Sequence, residues 1–205
     1  MPPSTKTKGT QPRGNLRLIG EDLVRHLDHP GGTTPPYFAY VYAPADEFAV
    51  RRELQGLDLW LRSRDVVPVA ISLAELFWRA IDESGYRDRI IEEEQAAVGS
   101  DDDGVVARLA VDINQILAGP PSLPDRVIAT MADFPERSVT FLYRAGALYP
   151  SYRTSALLDD LRERLLRPVV LLYPGRLEGN YGLSFMGMCQ PAHGYRAKII
   201  AREAQ

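Results

Sequence analysis

One cysteine, Cys189, and three histidines are the only thiol and imidazole groups in the sequence. A single cysteine excludes an internal disulfide, so the fold must come from its core. Long hydrophobic runs are missing as well. The longest, Tyr37 to Ala43, has seven residues, whereas a helix that crosses a bilayer needs about 20. The first residues, Met1-Pro2-Pro3-Ser4-Thr5-Lys6, contain no apolar stretch of the kind that marks export, which makes the cytoplasm the expected compartment. Phosphate-binding strings are absent. Neither G-x-x-x-x-G-K-[ST] nor G-x-G-x-x-G occurs, and the loop after the first apolar run, Ala43-Pro44-Ala45-Asp46-Glu47, has no glycine and begins acidic. No G-x-S-x-G elbow is present either. The sequence is therefore expected to be non-catalytic and to hold no cofactor.

His26-x-x-His29 is the only close histidine pair, and a closed zinc site built on it would need Cys189 and His193 as well. Pro30 and Gly31 place His29 in a loop, so no metal is expected. Asp101-Asp102-Asp103 lacks the downstream ligands of a calcium loop and suits the start of a helix instead.

What the sequence does contain is 45% hydrophobic and 25% charged residues, the balance of a globular chain. Residues 1–15, rich in proline, glycine and basic side chains, are expected to form a disordered tail, and residues 16–205 one α/β domain. Tyr37 to Tyr42, Val66 to Ile71, Val139 to Tyr143 and Val169 to Tyr173 are short apolar runs that read as strands, the last two covered on both faces. Amphipathic helices are expected between them. One starts at Gly20. Another carries Val50, Leu54, Leu57 and Leu61 on one stripe, a third follows a capping box at Ser72 and Glu75, and a fourth follows Thr154 as cap. Leu183 to Met186 and Tyr195 to Ile200 read as two last strands on the far side of the sheet. Strands alternating with helices predict a three-layer, mostly parallel sheet flanked by helices. It is a nucleotide-binding-like core without a phosphate loop.

Charge is unevenly spread. Residues 75 to 103 hold ten acidic and three basic side chains, a balance of −7, and residues 139 to 205 hold nine basic and five acidic ones, a balance of +4. Arg144, Tyr149, Arg153, Arg176, Arg196 and Lys198 are the candidate contacts for a partner or an anion. Gly146 to Arg153 and Pro174 to Asn180 are the candidate phosphate loops. Against these stands plain structure, with Tyr149 closing the core and Arg153 pairing with Asp159 or Asp160.

The C-terminal third carries the most specific signal. Val139 to Leu161, with its Arg-Ala-Gly-Ala-Leu-Tyr-Pro segment, then Arg167-Pro-Val-Val-Leu-Leu-Tyr-Pro-Gly-Arg176, Leu183-Ser-Phe-Met-Gly187 and Tyr195-Arg-Ala-Lys-Ile-Ile200 resemble the BrxB family of bacteriophage exclusion (BREX) defence systems. Tyr42-Ala43-Pro44 and Ala70-Ile71-Ser72-Leu73 are similar to that family's N-terminal half. The resemblance implies a cytoplasmic accessory protein of an anti-phage system, accompanied by a methyltransferase, a large ATPase and a PglZ-like protein. It supplies no catalytic residues. Three roles are weighed: an adaptor binding other BREX proteins, a nucleic-acid-binding subunit using the basic C-terminal surface, and a phosphate- or nucleotide-binding regulatory protein.

Overall fold

The computed structural model describes residues 14–31, 37–97, 103–165, 167–179, 182–186 and 195–203. The N-terminal tail up to residue 13, most of the loop 29–36, Asp101, Asp102, Asn180, Cys189 and His193 lie outside them. Helix α1 (Asn15–Asp28) leads into β1 (Tyr37–Tyr42), a short 3₁₀ turn (Pro44–Asp46) and α2 (Glu47–Arg62). Next come β2 (Val67–Ser72) and four helices, α3 (Leu73–Ser84), α4 (Arg87–Ala97), α5 (Asp103–Ala118) and α6 (Leu123–Met131). The chain continues with β3 (Ser138–Tyr143), a second 3₁₀ turn (Ala145–Leu148), α7 (Thr154–Arg164), β4 (Val169–Glu178), β5 (Gly182–Phe185) and β6 (Lys198–Ala201). The protein is α/β, as its alternating pattern predicts.

Five strands run parallel in the order β2-β3-β4-β1-β6, and β5 turns back antiparallel on the long end of β4. The last two strands are thus not neighbours. One extends β4 as a hairpin, and the other forms the edge beside β1, beginning only at Lys198. Alternation along β1 separates two cores. Tyr37, Ala39 and Val41 meet residues of α3 to α7 on one face, while Phe38, Tyr40 and Tyr42 meet α1 and α2 on the other. All six residues of β1 are buried, which explains why its run is apolar without a break.

Local chemistry sets the boundaries. Ser72 accepts a hydrogen bond from the Glu75 amide at the start of α3, and Gly85 ends that helix at φ 72°. Ser122 and Asp125 form a complete capping box on α6. Thr154 is not the cap of α7: that position is Arg153, whose side chain makes no capping bond, and the Thr154 hydroxyl is shared with Tyr195 at 2.7 Å. Nor does α1 start at Gly20. That glycine lies inside the helix because a Cβ there would stand 2.9 Å from both Leu57 and Trp60 of α2. Its bare backbone lets α2 draw close to α1.

Pro68 sits on the edge strand. Val67 donates to the Arg137 carbonyl, so odd-numbered residues of β2 face β3 and even-numbered ones turn their backbone to the open edge. There Pro68 has no N–H to offer an incoming strand.

Asp125 carries a pH signature. Its carboxylate accepts hydrogen bonds from the Ser122 hydroxyl, the Arg164 guanidinium and the Ser122 amide, at 2.7, 2.7 and 2.8 Å. These bonds favour the ionised form and hold its pKa at about 2, below the usual 3.8. A folded value below the unfolded one means stability that is present above about pH 4 and is lost as pH falls toward 2. Asp125→Asn is expected to flatten that part of a melting-temperature profile against pH; an unaltered acid limb would contradict the assignment.

Candidate functional site

In parallel α/β sheets, ligands bind beyond the carboxyl ends of the strands, where neighbouring crossovers leave to opposite faces. Here α2 follows β1 onto one face, while the turn and helix after β3 go to the other. Three features occupy this rim.

The first is an ion-pair network. Arg202, just past β6, is only 8% exposed at its side chain. It donates to Glu53 through Nε and Nη2 (3.2 and 2.8 Å) and to Asp46 through Nη1 (2.9 Å). These bonds, the Glu53 pair foremost, hold the guanidinium firmly protonated. The Tyr40 hydroxyl donates to Glu53 at 3.4 Å and the Tyr42 hydroxyl to Glu47 at 2.7 Å. Burial, reinforced by these carboxylates, pushes both phenols far above their ordinary range. The crevice after β1 is thus filled by the chain's own charges, and its acids would repel a phosphate.

The second is aromatic. Tyr149 stacks on Phe185 (centroids 5.4 Å apart, planes 23° apart), and Tyr173 meets Phe185 and Tyr195 edge-on. The β4–β5 hairpin brings Phe185 over the turn at Gly146, where a Cβ would stand 3.3 Å from its ring. Asn114 of α5 donates to the Ser151 carbonyl at 2.6 Å, fixing the loop that carries Tyr149.

The third is a groove of about 530 Å³ between α2 and the sheet. Its floor is Pro68 and Ala70 of β2, Phe141 and Tyr143 of β3, and Leu172 of β4; Val50 and Leu54 of α2 form its wall. Glu47, Arg51, Asp58 and Arg144 stand on its rim.

The six candidate contacts do not converge on one surface. Arg144, Tyr149 and Arg153 follow the carboxyl end of β3 and Arg176 lies in the last part of β4, paired with β5, whereas Arg196 and Lys198 lie at the amino end of β6. Lys198 is spent on an ion pair with Asp22 of α1. Arg153, Arg176 and Arg196 are exposed, and Asp160, offered as a partner for Arg153, pairs with Arg164 instead. Arg144 differs from the rest. Its backbone is left-handed (φ 57°, ψ 39°), its guanidinium lies over the Tyr143 ring at 5.6 Å, and its nearest carboxylate, Glu75, is 3.8 Å away. Sequence reasoning missed Arg202 and the groove. An arginine closing an alternating strand was the one available signal for the former.

His26 is buried in α1. Among the described residues no group of three His, Cys, Asp or Glu is placed to hold a metal ion, and no helix is long and apolar enough to cross a membrane. A family model described as BREX protein BrxB matches residues 69–200, well over half of the chain. No curated protein and no solved structure shows significant similarity to it.

Proposed function

The chain belongs to the BrxB family of BREX phage-defence proteins, and from that premise we propose that it is a non-catalytic cytoplasmic adaptor binding other proteins of its system, a PglZ-like protein first among them. The observation that supports this reading is the state of the carboxyl rim. Arg202 bonds to Asp46 and Glu53, and Tyr42 to Glu47, in the crevice where such sheets take up a small-molecule substrate. Groups saturated in this way are not poised to transfer protons or to bind a phosphate. Exposed surface remains for protein contacts, with Tyr149 at 55% and Trp78 at 45% exposure, residue types enriched at interface centres.

The test is co-expression of the tagged chain with the PglZ-like protein, the ATPase and the methyltransferase of its own system. Co-elution of at least one at moderate salt is expected. Failure to retain any of them, or steady substrate turnover by the isolated chain, would remove the reading.

A further inference from the structure

The groove beside α2 follows from the topology. β1 and β2 are joined by a single helix, yet they lie three positions apart in the sheet, about 14 Å at the usual strand spacing. One helix, about 10 Å across, covers only two strands. Gly20 draws α2 toward α1, so the uncovered remainder falls over β2 and β3. On the opposite face the same strands lie under α3, α5, α6 and α7. On this face Ala70 is exposed and Pro68 and Tyr143 are half-buried, above a floor of Phe141 and Leu172 that the fold already buries.

The charges on its rim say what fits. Glu47 is bonded to Tyr42 and Arg51, and Asp58 to Arg62. The Arg144 side chain makes no hydrogen bond among the described residues; it lies over the Tyr143 ring and faces one exposed carboxylate, Glu75, in a long ion pair at 3.8 Å. An apolar trough that ends in a guanidinium held only by a long, exposed ion pair complements an apolar ridge that carries a carboxylate able to bond it at closer range. Length and shape select the form of that ridge. Six residues of β2 span about 20 Å at roughly 3.3 Å each, the length of about 13 residues of α-helix. An added strand would instead meet the missing donor of Pro68.

We propose that this groove receives an amphipathic helix of a partner protein, whose apolar face lies on Pro68, Ala70 and Tyr143 and whose acidic side chain pairs with Arg144. The proposal rests on the adaptor reading and names its docking surface. The partner helix takes the place of the crossover helix that the sheet lacks, read through anchors at i, i+3, i+4 and i+7.

The chain is co-expressed with the proteins of its system as wild type, Ala70→Arg, Arg144→Gly and, as a control on α4, Ile91→Arg. Arg144→Gly removes the guanidinium while relieving the left-handed backbone, so it is expected to melt no lower than wild type. Both groove variants are expected to weaken partner binding at least tenfold, and Ile91→Arg to leave it unchanged. A photo-crosslinking amino acid at position 70 is expected to label a partner helix with an Asp or Glu within one turn of the labelled residue. Wild-type binding retained by folded groove variants, or labelling of an extended segment, a nucleic acid or a second copy of this chain, would overturn the proposal alone. A wild-type chain that binds none of the proteins would take the adaptor reading down with it.

Discussion

Replacing Gly175 by alanine is expected to cost about 3 kcal/mol, at the upper end of what overpacking does, and to free the β4–β5 hairpin from the rim. A Cβ on Gly175 would lie 2.3 Å from the Ser184 carbonyl oxygen and 2.7 Å from the Tyr173 ring. The first of these is backbone, fixed by the antiparallel register that sets Gly175 opposite Phe185, so no rotamer change relieves it. The strands must part. Phe185 then leaves Tyr149 and Tyr173, and the ring cluster loses its fixed geometry. Urea unfolding gives the energy, and near-ultraviolet circular dichroism gives the loss of ring order. Gly179 supplies the contrast, since a Cβ there meets nothing within 4 Å and only its φ of 61° opposes substitution. Gly179→Ala is expected to cost about 1 kcal/mol through that backbone angle. Equal effects at the two positions would show that the close approach at Gly175 is not what holds the hairpin.

The strands and most helices were legible because their signals are local. Tyr37 to Tyr42 is apolar at every position and bounded by Pro36 and Pro44, and the structure buries it on both faces. Ser72 caps α3 from three residues away. Long-range features gave weaker signals or none. Gly20 reads as a helix boundary because glycine disfavours helix interiors, yet its reason for being there, Trp60 and Leu57, lies about forty residues on. The groove was illegible for a similar reason. Val139 to Tyr143 is apolar whether a helix of the same chain or of another covers it, and only the strand order reveals that α2 has too wide a span to cover. The charge balance of residues 139 to 205 pointed to a single basic surface. It fails because residues close in sequence come to lie at opposite ends of the parallel strands, and because Asp22 and Glu53, far upstream, neutralise Lys198 and Arg202.

Arg202→Ala is expected to destabilise the fold by about 2 kcal/mol, below what breaking a fully buried pair costs, because the carboxylates left behind, Glu53 and Asp46, are 24% and 40% exposed. The side chain closes a circuit. Its backbone amide donates to Val41 at 2.7 Å, extending the β1–β6 ladder, and its guanidinium grips Glu53 in the middle of α2 with two nitrogens. Without it, Glu53 keeps one long bond from Tyr40, and β6 loses its tie to the first crossover. Arg202→Lys keeps the charge but not the two-pronged geometry, so it is expected to recover only part of the loss. A double-mutant cycle with Glu53→Gln is expected to show a coupling of about 1 to 2 kcal/mol, and one with Asp46→Asn less than about 1, because Asp46 is 40% exposed and its pair is screened. Denaturant midpoints of the four variants of each cycle decide it. A single-mutant cost below about 1 kcal/mol together with lost partner binding would recast Arg202 as a contact residue, and the crevice after β1 as a surface held ready for a partner rather than a junction of the fold.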